Sequence, residues 1–148
     1  MNIIEVDPSD REQINQLLER NTLSQLDPSS SKLNTIIFSD GTKFPLGWKL
    51  IDSKKIIRGI VLNLISEYTH KNKIYYASII STWAVDKDYR KDTGKLLEKF
   101  LMQKNVDFLI NGSAIKPVAR RLINAKFLEV KNSDFKKVYF WVTNYKNF

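Results

Sequence analysis

The groups best placed to do chemistry lie in residues 81–104. That stretch reads Ser-Thr-Trp-Ala-Val-Asp-Lys-Asp-Tyr-Arg-Lys-Asp-Thr-Gly-Lys-Leu-Leu-Glu-Lys-Phe-Leu-Met-Gln-Lys. An apolar run ends at Val85, a short polar turn carries Tyr89 and Arg90, and a helical pattern opens a few residues later. Backbone amides at the start of a helix, backed by its dipole, form an anion site. Arg90, Lys91 and Lys95 add positive charge there, and Gly94 has no side chain to keep a phosphate from the backbone. Together with Thr93 these residues predict a phosphate or pyrophosphate seat where a strand hands over to a helix. Asp92 works against it, because as a helix cap its carboxylate would occupy the same amides and repel the ligand. The alternative is a plain capped helix start with Arg90 in a surface ion pair.

Other chemistry is narrowed by composition. The chain has no cysteine and one histidine. That removes disulfides, thiolate zinc sites and a cysteine nucleophile, and leaves a His-rich metal site or a Ser-His-Asp triad without its parts. No metal is expected. The absence of cysteine fits a reducing compartment, and a cytoplasmic location is expected. No run approaches the roughly 20 apolar residues of a membrane span, and Met1-Asn2-Ile3-Ile4-Glu5 lacks the basic-then-apolar pattern of a secretory signal. Twenty-four Lys and Arg against sixteen Asp and Glu give a net charge of +8. Eighteen of the cations are lysines, spread in doublets such as Lys54-Lys55 and Arg120-Arg121 without a dense basic run. So dispersed a charge favours an anionic small ligand over nucleic acid.

The 148 residues, 43% hydrophobic and 27% charged, predict one globular domain. The first strand is expected at Asn2–Val6. Asp7-Pro8-Ser9-Asp10 then starts a helix that runs to about Arg20, with Ile14, Leu17 and Leu18 on its apolar face. Residues 21–45 admit a short helix near Leu23–Leu33, an extended piece at Thr35–Phe38 and a turn at Asp40-Gly41. From Gly47 the pattern turns to β. Strands Gly47–Ile51, Ile56–Tyr68 and Ile74–Val85, joined by turns at Asp52–Lys55 and His70–Lys73, form an antiparallel meander. Leu96, Leu97, Phe100 and Leu101 mark the inner face of the next helix. Val106–Ile110 is an unbroken apolar run, as in a strand covered on both faces. A helix at Lys116–Asn124, with Val118, Leu122 and Ile123 inward, precedes two closing strands, Phe127–Val130 and Lys137–Val142. The strand–helix–strand order over residues 74–110 implies a right-handed crossover and a locally parallel pair. The expected class is α+β: a mixed, mostly antiparallel sheet with helices on both faces.

This order of elements, with Trp83-Ala84-Val85-Asp86-Lys87-Asp88-Tyr89-Arg90 ahead of a Leu-Leu helix, resembles the GNAT acyltransferase superfamily. There a "V-x-P-x-Y-R-G-x-G-x-G" segment ends the fourth strand and opens the helix that holds the coenzyme A pyrophosphate. The likeness covers most of Gly47 to Phe140, including the late helix, Gly-Phe and strand segment, matched here by Leu122 to Phe127. Departures are clear. Thr93 stands for the first glycine and Lys95 for the second, or the loop is about two residues shorter with Gly94 as the remaining glycine. The tyrosine that often protonates the departing thiolate, five residues before the phenylalanine, is Leu122 here, and the glycine is Lys126.

The resemblance implies acetyl-CoA or another acyl-CoA as co-substrate and an amine, on a small molecule or a protein, as acceptor. It implies that backbone groups of Trp83, Ala84 and Val85 bind the pantetheine where strands four and five splay apart. Arg90, Lys91, Asp92, Thr93, Gly94 and Lys95 would surround the diphosphate. Ser81, Thr82, Asn111 and Ser113 then fall on the acceptor side. Glu67, near the end of strand three, is the candidate base if partial burial raises its pKa; a solvated charge is the alternative, and Trp48 and Trp83 line a cleft or fill core. A monomer or homodimer is expected. Three functions compete: an acyl-CoA-dependent N-acyltransferase, a GNAT-fold module that binds a ligand or protein without catalysis, and a nucleic-acid binder.

Overall fold

In the computed structural model, residues 1–21, 44–111 and 116–128 are described. The helix and extended piece expected within residues 22–43 lie outside them, as do the closing strands Phe127–Val130 and Lys137–Val142 apart from Phe127 and Leu128, which are not in a strand. Residues 1–112 and 113–148 form two compact units.

The first unit is a five-stranded sheet in the order β1-β2-β3-β4-β5. Its strands are β1 (Asn2–Glu5), β2 (Gly47–Ile51), β3 (Ile57–His70), β4 (Lys73–Val85) and β5 (Phe108–Ile110). All neighbours are antiparallel except β4 and β5, which run parallel. The meander is the expected one, and the sheet is mixed and mostly antiparallel as read from the sequence. Its second turn is tighter. Lys71 and Asn72 both have positive φ, 47° and 61°, the signature of a two-residue type I′ turn whose twist matches that of the strands.

β5 is shorter than expected and less covered, with Phe108 51% and Ile110 36% exposed. The reason for its late start is local. The Asp107 carboxylate accepts the Tyr76 N–H at 2.9 Å, where a strand would offer a carbonyl. Phe108 rests on the Tyr75 ring, with centroids 5.9 Å apart.

Helix α1 (Arg11–Arg20) and helix α2 (Thr93–Leu101) pack on opposite faces. Ile14 and Leu17 of α1 share a core with Ile57, Ile60, Leu62 and Ala84. A Cβ placed on Gly59 would meet Leu96 of α2 at 3.2 Å and Val85 at 3.1 Å. Gly59 and Ile60 are consecutive in a strand, so they point to different faces. α2 buries Leu96, Leu97 and Phe100, the stripe expected from spacing. Before α1, the Asp7 carboxylate accepts the Ser9 N–H while Asp10 accepts the Asp7 N–H, a reciprocal cap. Asp10 also pairs with the buried Lys49 ammonium, which ties the helix entry to β2.

Gly47 is required by contact. Its φ is +144° and an added Cβ would lie 2.2 Å from the Val61 carbonyl oxygen. Gly47→Ala is expected to lower stability by about 3 kcal/mol or more, measured by urea unfolding.

The second unit contains α3 (Lys116–Asn124), matching the expected span. Leu122 is buried, whereas Ile123, expected inward, is 50% exposed. The helix ends with Phe127 N–H on Leu122 O (3.0 Å) and Lys126 N–H on Ile123 O (2.9 Å). That is a Schellman close, and it places Lys126 in the left-handed region at φ 71°. Glycine adopts this conformation freely. Lys126→Gly is therefore expected to raise stability by about 0.5–1 kcal/mol, read as a higher urea midpoint with unchanged slope.

Candidate functional site

β4 changes neighbours along its length. It pairs with β5 only at Ala77↔Phe108, Ser78↔Leu109 and Ile79↔Ile110. Past Ile79 it runs six more residues, and among the described residues no strand pairs with it on that side. Its pairing with β3 continues to Val85, with a register shift at Leu62/Asn63 that leaves Ser81 as the extra residue of a bulge. The exposed Ser81 hydroxyl donates to Leu62 O at 3.2 Å.

The alternation of an antiparallel ladder fixes which backbone groups are available. Asp86 N–H donates to Arg58 O at 2.8 Å. By the two-residue period, the backbone groups of Ala84 and Thr82 also face β3, and those of Trp83 and Val85 face the side that β5 has left. Ala84 therefore leaves the expected trio. Its backbone pairs with Ile60, and its side chain is buried in the α1 core. Trp83 is half-buried, and its indole Nε1 is buried without a hydrogen-bond partner among the described residues.

The link into α2, expected as a short polar turn, is more regular. Lys87–Asp92 wind into a 3-10 helix that runs directly into α2. Tyr89 N–H donates to Asp86 O at 2.9 Å and Thr93 N–H to Arg90 O. The amides that α2 itself leaves over are those of its first turn, and Thr93 has already committed its own. Asp92 does not cap the helix, contrary to the sequence expectation. Its side chain is buried and accepts from Lys95 Nζ at 2.7 Å. That hydrogen bond outweighs burial and holds the Asp92 carboxyl below the usual carboxylate range, while Lys95 is raised by the same bond. Arg90 and Lys91 are exposed and Thr93 is half-buried.

Gly94 has an ordinary helical backbone, and an added Cβ would meet nothing within 4 Å. A glycine inside a helix costs about 1 kcal/mol against alanine. Neither strain nor packing accounts for it here, but a bare backbone facing open space suits an approaching anion.

Ser81 and Asn111 flank the point where β4 and β5 part. Ser81 lies two residues past Ile79, and Asn111 directly follows Ile110 and is half-buried. Glu67 is not with them. It is exposed and sits opposite Tyr76, five residues from Ser81 and so about 16 Å along the strand. The solvated alternative holds for Glu67, because β3 reaches solvent at this end. His70 is exposed at the tip of the same hairpin, and Ser113 lies outside the described residues. Trp48 lines a cavity of about 260 Å³ with Glu5, Lys99 and Gln103. That cavity lies at the C-terminal end of α2, away from Gly94. Among the described residues no three potential metal ligands cluster, and no helix is long and apolar enough to cross a membrane.

One residue central to this geometry escaped the sequence. Asp86 accepts from Arg20 Nε at 2.9 and 3.1 Å, from Asn21 Nδ2 at 2.8 Å and from Arg58 at 3.4 Å. Arg58 also donates to Asp52 at 2.8 Å and lies over the Tyr89 ring, 5.5 Å from its centroid. The knot joins the last turn of α1, the start of β3 and the end of β4. Its partners are up to 66 residues apart, so no local spacing announces it.

No protein-family model matches the chain, and no curated protein matches it. Solved structures do match. An acetyltransferase from Trypanosoma brucei superposes with a TM-score of 0.64 at 15% identity, over 89% of this chain and 95% of the other. Glucosamine-6-phosphate N-acetyltransferase from Arabidopsis thaliana gives 0.62 at 18% identity, over 97% of each. Aminoglycoside antibiotic 6′-N-acetyltransferase from Acinetobacter baumannii gives 0.58 at 15% identity, over 97% of each. The chain has the α+β fold of the GNAT acetyltransferases.

Burial opposes ionisation of Asp86, but the hydrogen bonds from Arg20 and Asn21 outweigh it and hold the carboxyl below its usual range. A lowered folded pKa gives stability that is present above the unfolded value and lost as pH falls through the folded one. Asp86→Asn is thus expected to cost about 2 kcal/mol at pH 7. In thermal unfolding from pH 7 to 2, the gap from wild type should close below about pH 4.

Proposed function

We propose that residues 1–148 work as one GNAT-type domain, an N-acyltransferase that moves an acyl group from an acyl-CoA thioester to an amine. One observation carries this reading: β4 loses its β5 neighbour after Ile79, and Trp83 and Val85 then face the vacated side on the way to Gly94. An amide-bearing pantetheine can continue the ladder on Trp83 and Val85 as a short strand would. The diphosphate then falls at the first turn of α2, where Gly94 gives access and Arg90, Lys91 and Lys95 supply charge. The thioester brings an activated carbonyl to the bulge at Ser81.

At that place the protein's contribution is orientation and polarity. The exposed Ser81 hydroxyl and the Asn111 carboxamide are the polar side chains at the point of divergence. The Ser81 hydroxyl is placed to hydrogen-bond the departing sulfur, and the thiolate takes its proton from water, since Leu122 cannot supply one. The ammonium proton leaves to water, since Glu67 is remote from the bulge.

The acceptor class is a small-molecule or protein amine. Glucosamine 6-phosphate and an aminoglycoside are the first to try, because two of the similar structures are named for them. The second reading is a module that keeps the ligand and has lost the reaction. It is favoured by Leu122 and by the solvent-exposed Glu67.

Thermal unfolding with acetyl-CoA tests the common part. A ligand at a hundred times its Kd adds about 2.7 kcal/mol, a rise of several degrees in Tm. Gly94→Trp is expected to remove that shift while leaving the apo Tm within about two degrees, since nothing occupies the space above Gly94. Absence of a shift with any acyl-CoA would overturn both readings. A shift without amine-dependent thiol release would select the non-catalytic module.

A further inference from the structure

The start of α2 holds a charge that folding does not explain. The Asp92 side chain is only 6% exposed. Its Oδ1 accepts from Lys95, while its Oδ2 is buried with no hydrogen-bond partner among the described residues. A buried carboxylate oxygen without a partner is destabilising. Asp92 does not offset this by capping, because no amide of α2 bonds to it. Lys95 in turn is 63% exposed. Among the described residues its ammonium has one hydrogen-bond partner, that carboxylate, and Glu98 adds a lesser attraction. Lys91 adds a second attraction to Asp92 from the same turn.

We propose that Asp92 is an internal anion that competes with the donor's diphosphate for Lys95 and for the positive end of α2, and so sets how tightly diphosphate-bearing donors bind. The proposal rests on the reading given under Proposed function and names a residue that tunes it. In the free protein the carboxylate occupies the place in the charge balance that a phosphate would take. A diphosphate arriving above Gly94 meets Lys95 already neutralised and a like charge beneath it. Binding therefore requires Lys95 to turn outward to the ligand, or two anions to share one ammonium and one helix end. Either way affinity is lower than the cations alone would give. The same carboxylate keeps Lys95 at the mouth of the seat when no ligand is present.

Asp92→Asn is nearly isosteric and keeps an acceptor for Lys95 while removing the charge. Isothermal titration with CoA is expected to show a Kd about tenfold lower than wild type, with the gain shrinking as salt rises from 50 to 500 mM. Dephospho-CoA, which retains the diphosphate, should gain equally. Lys95→Met should weaken CoA binding, and it serves if Asp92→Asn does not fold. If wild type binds CoA and Asp92→Asn binds no more tightly, or the gain is lost with dephospho-CoA, the proposal falls and the acyl-CoA reading stands. The proposal also falls if Lys95→Met leaves CoA affinity unchanged. If neither wild type nor variant binds CoA, both fall together.

Discussion

A strand in a sheet has hydrogen-bonding groups on two edges; among the described residues β4 pairs with β3 along its length on one edge, but with β5 only from Ala77 to Ile79 on the other. Every feature of interest sits on that imbalance. Buried or half-buried peptide groups seek partners, so the run from Ser81 to Val85 is a ladder waiting for a second rail. The bulge at Ser81 marks the place where β4 bends away. It also exposes a hydroxyl where regular pleating would have put a side chain on one face or the other.

Keeping such an edge open requires the rest of β4 to be held firmly. At its far end Asp86 gathers Arg20, Asn21 and Arg58, so that α1, β3 and β4 end on a single carboxylate. Beneath the C-terminal part of α2 a second polar knot does similar work. Asn63 donates to Pro45 O and Gln103 Oε1, and Gln103 donates to the fully buried Ser78 hydroxyl and to Phe100 O. These contacts lock α2 to the sheet at one end. The parting of β4 from β5 is thus framed by two rigid clamps made mainly of long-range bonds.

What the sequence disclosed, and what it withheld, follows the range of the forces involved. Strand and helix periodicity is local, and it located β2 and α3 to the residue and the start and inner face of α2. The reciprocal cap at Asp7 and Asp10 is also local, and half of it, the Asp7 cap, was legible. The type I′ turn at Lys71-Asn72 was blurred because it lacks the glycine that usually marks such turns. Asp92 looked like a cap because aspartate before a helix usually is one. The preceding 3-10 helix runs straight into α2, no amide of α2 bonds to the Asp92 carboxylate, and Lys95 takes it instead. The family resemblance groups Ala84 with Trp83 and Val85, although a pleated strand sends neighbours to opposite sides and Ala84 pairs with Ile60. The Asp86 knot and the Lys49–Asp10 pair join residues dozens of positions apart, and no pattern in one chain encodes such meetings.

The two ends of α2 are unequal in a way that bears on heat rather than shape. Its far end is stapled by Gln103, while its beginning has no side-chain cap, carries glycine at the second position and follows a 3-10 turn. A helix started this way frays readily, so its opening amides should exchange with solvent faster than those around Phe100. An anion that settled on them would supply a cap, and part of its affinity would go into ordering that turn. Such association carries an entropic penalty concentrated in a handful of peptide units, and its calorimetric imprint is a favourable enthalpy partly cancelled by lost disorder.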